Sequence, residues 1–138
     1  MINYHTMMNI SVAWGDLDSF QHVNNTFYFK YFESIRIKYL EKINFGINNI
    51  ATGIGPILGY TSCRFKIPLK YPDNLNAVTK VIEIKKDRFV MNYAIFSENF
   101  DKCAAEGNGI IFAFDYDQKK KTNLPKNIIN QIKKIDNL

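Results

Sequence analysis

Apolar and polar positions follow two different periods along this chain. From Asn24 or Asn25 to about Ile43, the apolar residues Tyr28, Phe32, Ile35, Tyr39 and Ile43 recur at spacings of three and four. That period puts them on one face of a helix. Asn24 or Asn25 suits its N-cap, because a short polar side chain can accept from a free N–H of the first turn. Phe27, Phe29 and Tyr31 lie off the stripe, so the helix is expected to be wrapped by its neighbours and not merely laid on them. Ahead of it, "MMNISVAWG" reads as a strand ending in a glycine turn. Behind it, "NFGINNIATGIGPILG" gathers Gly and Asn and reads as a loop.

The period then changes to two. "YTSCRFKIPLKY", "NAVTKVIEIKK", "RFVMNYAIFSE" and "CAAEGNGIIFAFDY" are expected strands, joined at "PDN", "KKD" and "ENFD". Turns this short imply antiparallel neighbours. In the second run Val78, Val81 and Ile84 slip out of strict alternation. Finally "LPKNIINQIKKIDNL" sets Ile128, Ile132 and Ile135 on one stripe, predicting a short amphipathic helix over about 125–136, with Pro125 in its first turn. With no repeat and no linker, one domain spanning 1–138 is expected. Its class is α+β: a curved antiparallel sheet and a long helix burying their apolar faces on each other.

Composition changes the picture in three places. Aromatic residues make up 14%, which points to a core or pocket rich in rings. The net charge of +5 sits largely in "QKKKTNLPKNIINQIKK", so the body is near balance and the tail reads as a solvated basic segment. The aromatics keep helical core spacing. They do not alternate with Arg or Lys on an exposed strand, as a nucleic-acid stacking platform requires. Cys63 and Cys103 lie in strand-like apolar runs without CxxC spacing; free thiols in a reducing compartment are expected. The N-terminus lacks a basic start followed by an apolar core, and no apolar run approaches the roughly 20 residues of a bilayer span. A cytoplasmic protein without membrane insertion is expected.

The densest chemistry is "WGDLDSFQHVNNTFYFKYFESIR". A helix N-terminus offers unpaired N–H groups and a positive dipole end, a place that polarises a carbonyl. Asp16 and Asp18 precede it by a turn long enough to fold a carboxylate over that end. A carboxylate facing a polarised carbonyl can activate water or attack directly. Read structurally, the same acids cap and turn the chain. Two Asp and one His without a second cluster do not make a metal set, so no metal is expected. The chain contains no Ser-centred elbow, P-loop or dinucleotide fingerprint.

This stretch resembles the signature of hotdog-fold acyl-CoA thioesterases of the 4-hydroxybenzoyl-CoA thioesterase type: aromatic-x-D-x-D-x-x-G-H-V-N-N-x-x-Y-x-x-Y-x-E-x-x-R. The matching positions are Asp16, Asp18, His22, Val23, Asn24, Asn25, Tyr28, Tyr31, Glu33 and Arg36. The resemblance implies a hotdog fold, a curved antiparallel sheet wrapped around a long central helix, and hydrolysis of an acyl-CoA to a carboxylate and CoA. It implies Asp18 as catalytic base or nucleophile and the backbone N–H near Asn25 as the donor to the thioester carbonyl. His22, Asn24 and Tyr28 would shape the pocket or turn, and Asp16 would fix the loop. Lys85, Lys86 and Arg88 would meet the CoA phosphates. Phe27, Tyr28, Tyr31, Phe32, Ile57 and Leu58 are candidates for acyl-pocket walls, and Glu33 and Arg36 are expected to pair along the helix. No cofactor is implied, coenzyme A being part of the substrate. A homodimer or homotetramer is implied, since hotdog sheets pair edge to edge. Gln21 stands where the family usually has Gly, a position that permits φ > 0 or close approach of substrate. Two alternatives keep the fold: hydrolysis of acyl groups on acyl carrier protein, or acyl-CoA binding without turnover.

Overall fold

The computed structural model describes residues 3–46 and 53–138. Strand β1 is Thr6–Ser11, and a 3-10 turn at Trp14–Asp16 follows it. Helix α1 is Asn25–Lys42. Strands β2 (Ile54–Phe65), β3 (Asn74–Ile84), β4 (Arg88–Ser97), β5 (Lys102–Asp115) and β6 (Lys120–Thr122) come next, and helix α2 is Lys126–Asp136. The strands form one antiparallel sheet in the order β1-β3-β4-β5-β2, with β6 paired to β5. Among the described residues this is an α+β architecture of six strands and two α-helices.

Helix α1 buries Tyr28, Tyr31, Phe32, Ile35 and Tyr39. They meet Ala77, Val81, Met91, Tyr93, Ile95, Ala105 and Ile111 from the facing strands in one apolar cluster. The Phe32 and Tyr93 rings stack at 4.9 Å between centroids. They fit because β5 is bare where they lie: a Cβ on Gly107 would stand 2.7 Å from the Phe32 ring and collide with the Ser62 carbonyl, and one on Gly109 would collide with the Tyr93 hydroxyl. Helix α2 closes the C-terminal end of α1. Ile128 and Ile132 are buried, and Asp136 Oδ2 accepts from Tyr39 Oη at 2.6 Å and from Val81 N at 2.9 Å. Burial first, and the Asp136 carboxylate second, push the Tyr39 phenol far up, so it stays a donor.

Three expectations are corrected. The expected loop at 44–59 is strand from Ile54 onward; its residues 47–52 lie outside the described ones. Pro56 is tolerated there because β2 ends the sheet order and needs ladder bonds on one side only. The expected strand at 60–71 stops at Phe65, since Pro68 and Pro72 cannot donate to a ladder. The "PDN" turn does not join neighbours: β2 pairs with β5, and residues 66–73 cross from that strand to β3, three places away in the sheet. Short β6 went unanticipated. The slip at Val81 is real and marks a bulge, where the β3–β4 register shifts between Val81 and Glu83.

Gly107→Ala is expected to cost about 2 kcal/mol or more in urea unfolding, because the methyl group forces the ladder or Phe32 to move. Gly15→Ala, which meets nothing within 4 Å, should stay within about 0.5 kcal/mol.

Candidate active site

The turn between the 3-10 segment and α1 is held largely by its own backbone and two carboxylates. Asp18 N donates to the His22 carbonyl at 2.8 Å, Gln21 N donates to the Asp18 carbonyl at 3.1 Å, and Asn24 N donates to the Asp16 carbonyl at 2.8 Å. Leu17 and Val23 form an isolated bridge. Asp16 is the clamp: its Oδ2 accepts from Ala13 N at 3.0 Å and from Tyr31 Oη at 2.8 Å. Burial and this carboxylate together hold the Tyr31 phenol far above its ordinary range, so it remains protonated and keeps donating.

The first turn of α1 satisfies its donors unevenly. Asn24 Oδ1 accepts from Thr26 N and Thr26 Oγ1, each at 3.0 Å, and the Asn24 carbonyl accepts from Phe27 N at 2.9 Å. Asn25 N–H has no partner among the described residues. One Asp18 oxygen, Oδ1, takes Phe20 N at 2.9 Å, with His22 N at 3.5 Å; Oδ2 accepts from no described group. Asp18 and Asn25 line one cleft of about 400 Å³ with Val23, Tyr28, Phe65, Lys66, Ile67 and Pro68. The residue at the positive helix end and the residue with a free carboxylate oxygen therefore border one space. Cys63 brings no thiolate to compete with that carboxylate, because burial pushes its thiol up to about 11.

Half of that lining comes from the crossover, residues 66–73 with Phe65 ahead of it, which sequence reasoning did not single out as site. Tyr28 Oη pins it, donating to the Ile67 carbonyl at 3.1 Å and accepting from Leu69 N at 3.1 Å. Val23 N donates to the Leu69 carbonyl at 2.8 Å. Phe65 packs edge-on to Tyr28 at 5.0 Å, and Lys66 reaches Glu106 at 3.0 Å. Pro68 and Pro72 were the available signal that this segment leaves the sheet.

The other predicted residues separate. Asn24 serves as the cap. His22 is half-buried and contributes backbone groups to the turn; its ring is not part of the cleft lining. Lys85, Lys86 and Arg88 lie on the β3–β4 hairpin, near the C-terminal end of α1. Eighteen helical residues, about 27 Å at 1.5 Å each, separate that end from the cleft. Lys85 approaches Glu83 at 3.6 Å, and Arg88 bonds Asp87 at 2.8 Å while lying 4.6 Å from the Phe112 ring centre. The Arg88 guanidinium lowers the Asp87 carboxyl below its ordinary value. The expected Glu33–Arg36 pair is absent from the ion pairs of the described residues. Arg36 turns inward, donating from Nη1 to Tyr93 Oη at 3.2 Å. Among the described residues, no group of side chains has the makings of a metal site, and no helix is long and apolar enough to cross a membrane.

Comparison with known proteins bears on the family and the fold. A family model described as the thioesterase-like superfamily matches residues 12–132. No curated protein matches the sequence. Among solved structures, a thioesterase from Thermus thermophilus, complexed with coenzyme A and Zn, superposes with a TM-score of 0.87 at 19% identity, covering 100% of this chain and 98% of that one. The DHNA-CoA thioesterase of Staphylococcus aureus gives 0.83 at 20%, covering 96% and 93%. The 1,4-dihydroxy-2-naphthoyl-CoA thioesterase of Synechocystis gives 0.83 at 18%, covering 95% and 97%.

Gln21 has φ +68°, the left-handed conformation that the glycine of the motif adopts freely. A side chain there costs about 1–2 kcal/mol. Gln21→Gly is expected to raise unfolding stability by up to about 1 kcal/mol, and Gln21→Val, with its branched Cβ, to lower it by about 1–2 kcal/mol. Equal stability of all three proteins in denaturant titrations would show that the turn is not strained.

Proposed function

The chain belongs to the thioesterase-like superfamily, and from that premise we propose that it is an acyl-CoA thioesterase of the 4-hydroxybenzoyl-CoA type. One observation carries the reading: Asn25, whose N–H is unpaired among the described residues, and Asp18, whose Oδ2 accepts from no described group, line the same cleft. The thioester carbonyl oxygen accepts from Asn25 N–H at the positive end of α1, which stabilises the negative charge that develops on it. Asp18 then takes a proton from water as the water oxygen bonds to the carbonyl carbon, or bonds to that carbon itself. The C–S bond breaks, CoA leaves as thiolate, and a proton returns to its sulfur. In the direct route, water afterwards hydrolyses the resulting anhydride. Asp16, Tyr31 and Tyr28 touch no reacting atom; they position the turn and the crossover.

The acyl group lies against Tyr28 and Phe65. It does not enter the space between helix and sheet, which Phe32 and Tyr93 already fill. Short and ring-bearing acyl groups suit such a cleft better than long chains.

A homodimer joined along β2 is part of the reading. The two sheet edges differ: the carbonyls of Met7 on β1 and of His5 just ahead of it accept from Lys38 and Lys42 at 2.6 Å and 3.0 Å, whereas β2 presents exposed Leu58 and Tyr60 and, among the described residues, no further strand. An uncovered edge invites a second copy. A two-fold axis at that edge reverses the partner, which carries the partner subunit's Lys85, Lys86 and Arg88 toward the cleft end, where CoA phosphates would lie. Lys86 has no carboxylate within bridging distance among the described residues, so it is the cation most available to them. The cytoplasm, where acyl-CoA is found, is the proposed location.

Asp18→Asn is expected to lower kcat/KM on benzoyl-CoA and other acyl-CoAs by at least about a hundredfold, with helicity and melting unchanged. Turnover indifferent to Asp18 would remove the mechanism. Lys86→Glu is expected to raise KM for acyl-CoA while leaving the matching acyl-pantetheine, which lacks the nucleotide phosphates, unaffected.

A further inference from the structure

A second cleft, of about 330 Å³, lies between α1 and the β2 edge, lined by Phe29, Lys30, Glu33, Arg36, Leu58 and Thr61. Its charges are poorly satisfied within one chain. Lys30 lies 5.8 Å from the Phe27 ring centre, and Glu33 makes no ion pair among the described residues. Arg36 has only the neutral Tyr93 hydroxyl there, with its guanidinium 5.9 Å from that ring. Glu33 and Arg36 are three residues apart on α1 and so share a face, yet they do not bond each other. A half-buried guanidinium with one neutral acceptor retains N–H groups that demand a partner.

The proposed homodimer supplies that partner, and this inference rests on that reading. We propose that Glu33 and Arg36 form reciprocal ion pairs between protomers, Glu33 of one chain meeting the partner subunit's Arg36 and the converse. Two features point to a second copy as occupant. The cleft borders the edge strand that has no further described strand beside it. Its charge pattern is also self-complementary: a two-fold axis at the β2 edge sets the helices antiparallel, so an acid and a base on one face meet a base and an acid. An acyl group or other small apolar ligand would leave both charges unanswered. Leu58 and Phe29 add apolar area around the pairs, excluding water and strengthening them.

Charge exchange tests this by sedimentation across a range of protein concentration and salt. Glu33→Arg alone and Arg36→Glu alone are each expected to weaken the dimer about tenfold or more, by placing like charges face to face. The double exchange Glu33→Arg with Arg36→Glu is expected to return it to within about threefold of the original. Double-exchange protein as weak as the sum of the single changes, while the unaltered protein is a dimer, would overturn the ion pairs and leave the dimer standing. An unaltered protein that stays monomeric would overturn both.

Should the exchanged proteins misfold, Arg36→Lys keeps the charge and makes the pair open to zero-length carboxyl–amine coupling. With mixed light and heavy nitrogen-labelled chains, a Glu33–Lys link at position 36 is expected in mixed-isotope peptides. Links only within single-isotope peptides would refute the inter-chain pair.

Discussion

The demand for hydrogen bonds at the start of α1 organises this end of the molecule. A helix opens with backbone donors that have no acceptor in the helix itself. Here Asn24 answers the N–H groups of Thr26 and Phe27, through its side chain and its carbonyl. Asn25 N–H is left over, at the positive end of eighteen aligned peptide dipoles. Everything that lines the cleft is placed with respect to that N–H: the turn bearing Asp18, anchored by Asp16 on Tyr31, and the crossover, anchored by Tyr28. Both anchors are phenols that burial keeps protonated. They bring rigidity to a site whose chemistry needs one carboxylate and one donor at fixed separation.

The interior explains why the site lies at the rim. Gly107 and Gly109 let Phe32 and Tyr93 approach the sheet backbone so closely that the space between α1 and the sheet is filled with rings. At the other end α2 seals the core through Ile128, Ile132 and the Asp136 bond to Tyr39. The proposed acyl site accordingly lies near the helix N-terminus and not between helix and sheet. The lysines of α1 that cover the β1 edge leave β2 as the uncovered side, and it is beside β2 that Arg36 and Glu33 lack charged partners among the described residues.

Much of this was legible in the residues. The 3.6 period of Tyr28, Phe32, Ile35 and Tyr39 marked α1 to within a residue, and Asn24 announced its cap. The aspartates, His22 and the paired asparagines drew attention, by chemical type alone, to the turn that borders the cleft. Strand order was not legible, because "PDN" has the composition of a hairpin turn yet ends a crossover; only Pro68 and Pro72 hinted that the chain had left the sheet. The crossover's share of the cleft stayed hidden for the same reason, being a consequence of topology and not of local pattern. Glu33 and Arg36 had the spacing of a helix-surface pair, but the Tyr93 hydroxyl inside the sheet offered Arg36 a nearer acceptor. Gln21 shows the limit of motif reading: the residue differs from the familiar glycine, yet its backbone takes the left-handed conformation that glycine favours.

The central claim is that the thioester carbonyl is polarised by Asn25 N–H beside Asp18. Infrared difference spectra of a carbonyl-labelled benzoyl-CoA bound to the slow Asp18→Asn protein test it most directly. The account predicts a carbonyl band shifted to lower frequency than in water, as a strong hydrogen bond at a helix end requires. A bound carbonyl at or above its solution frequency would contradict the claim and move the chemistry away from the start of α1.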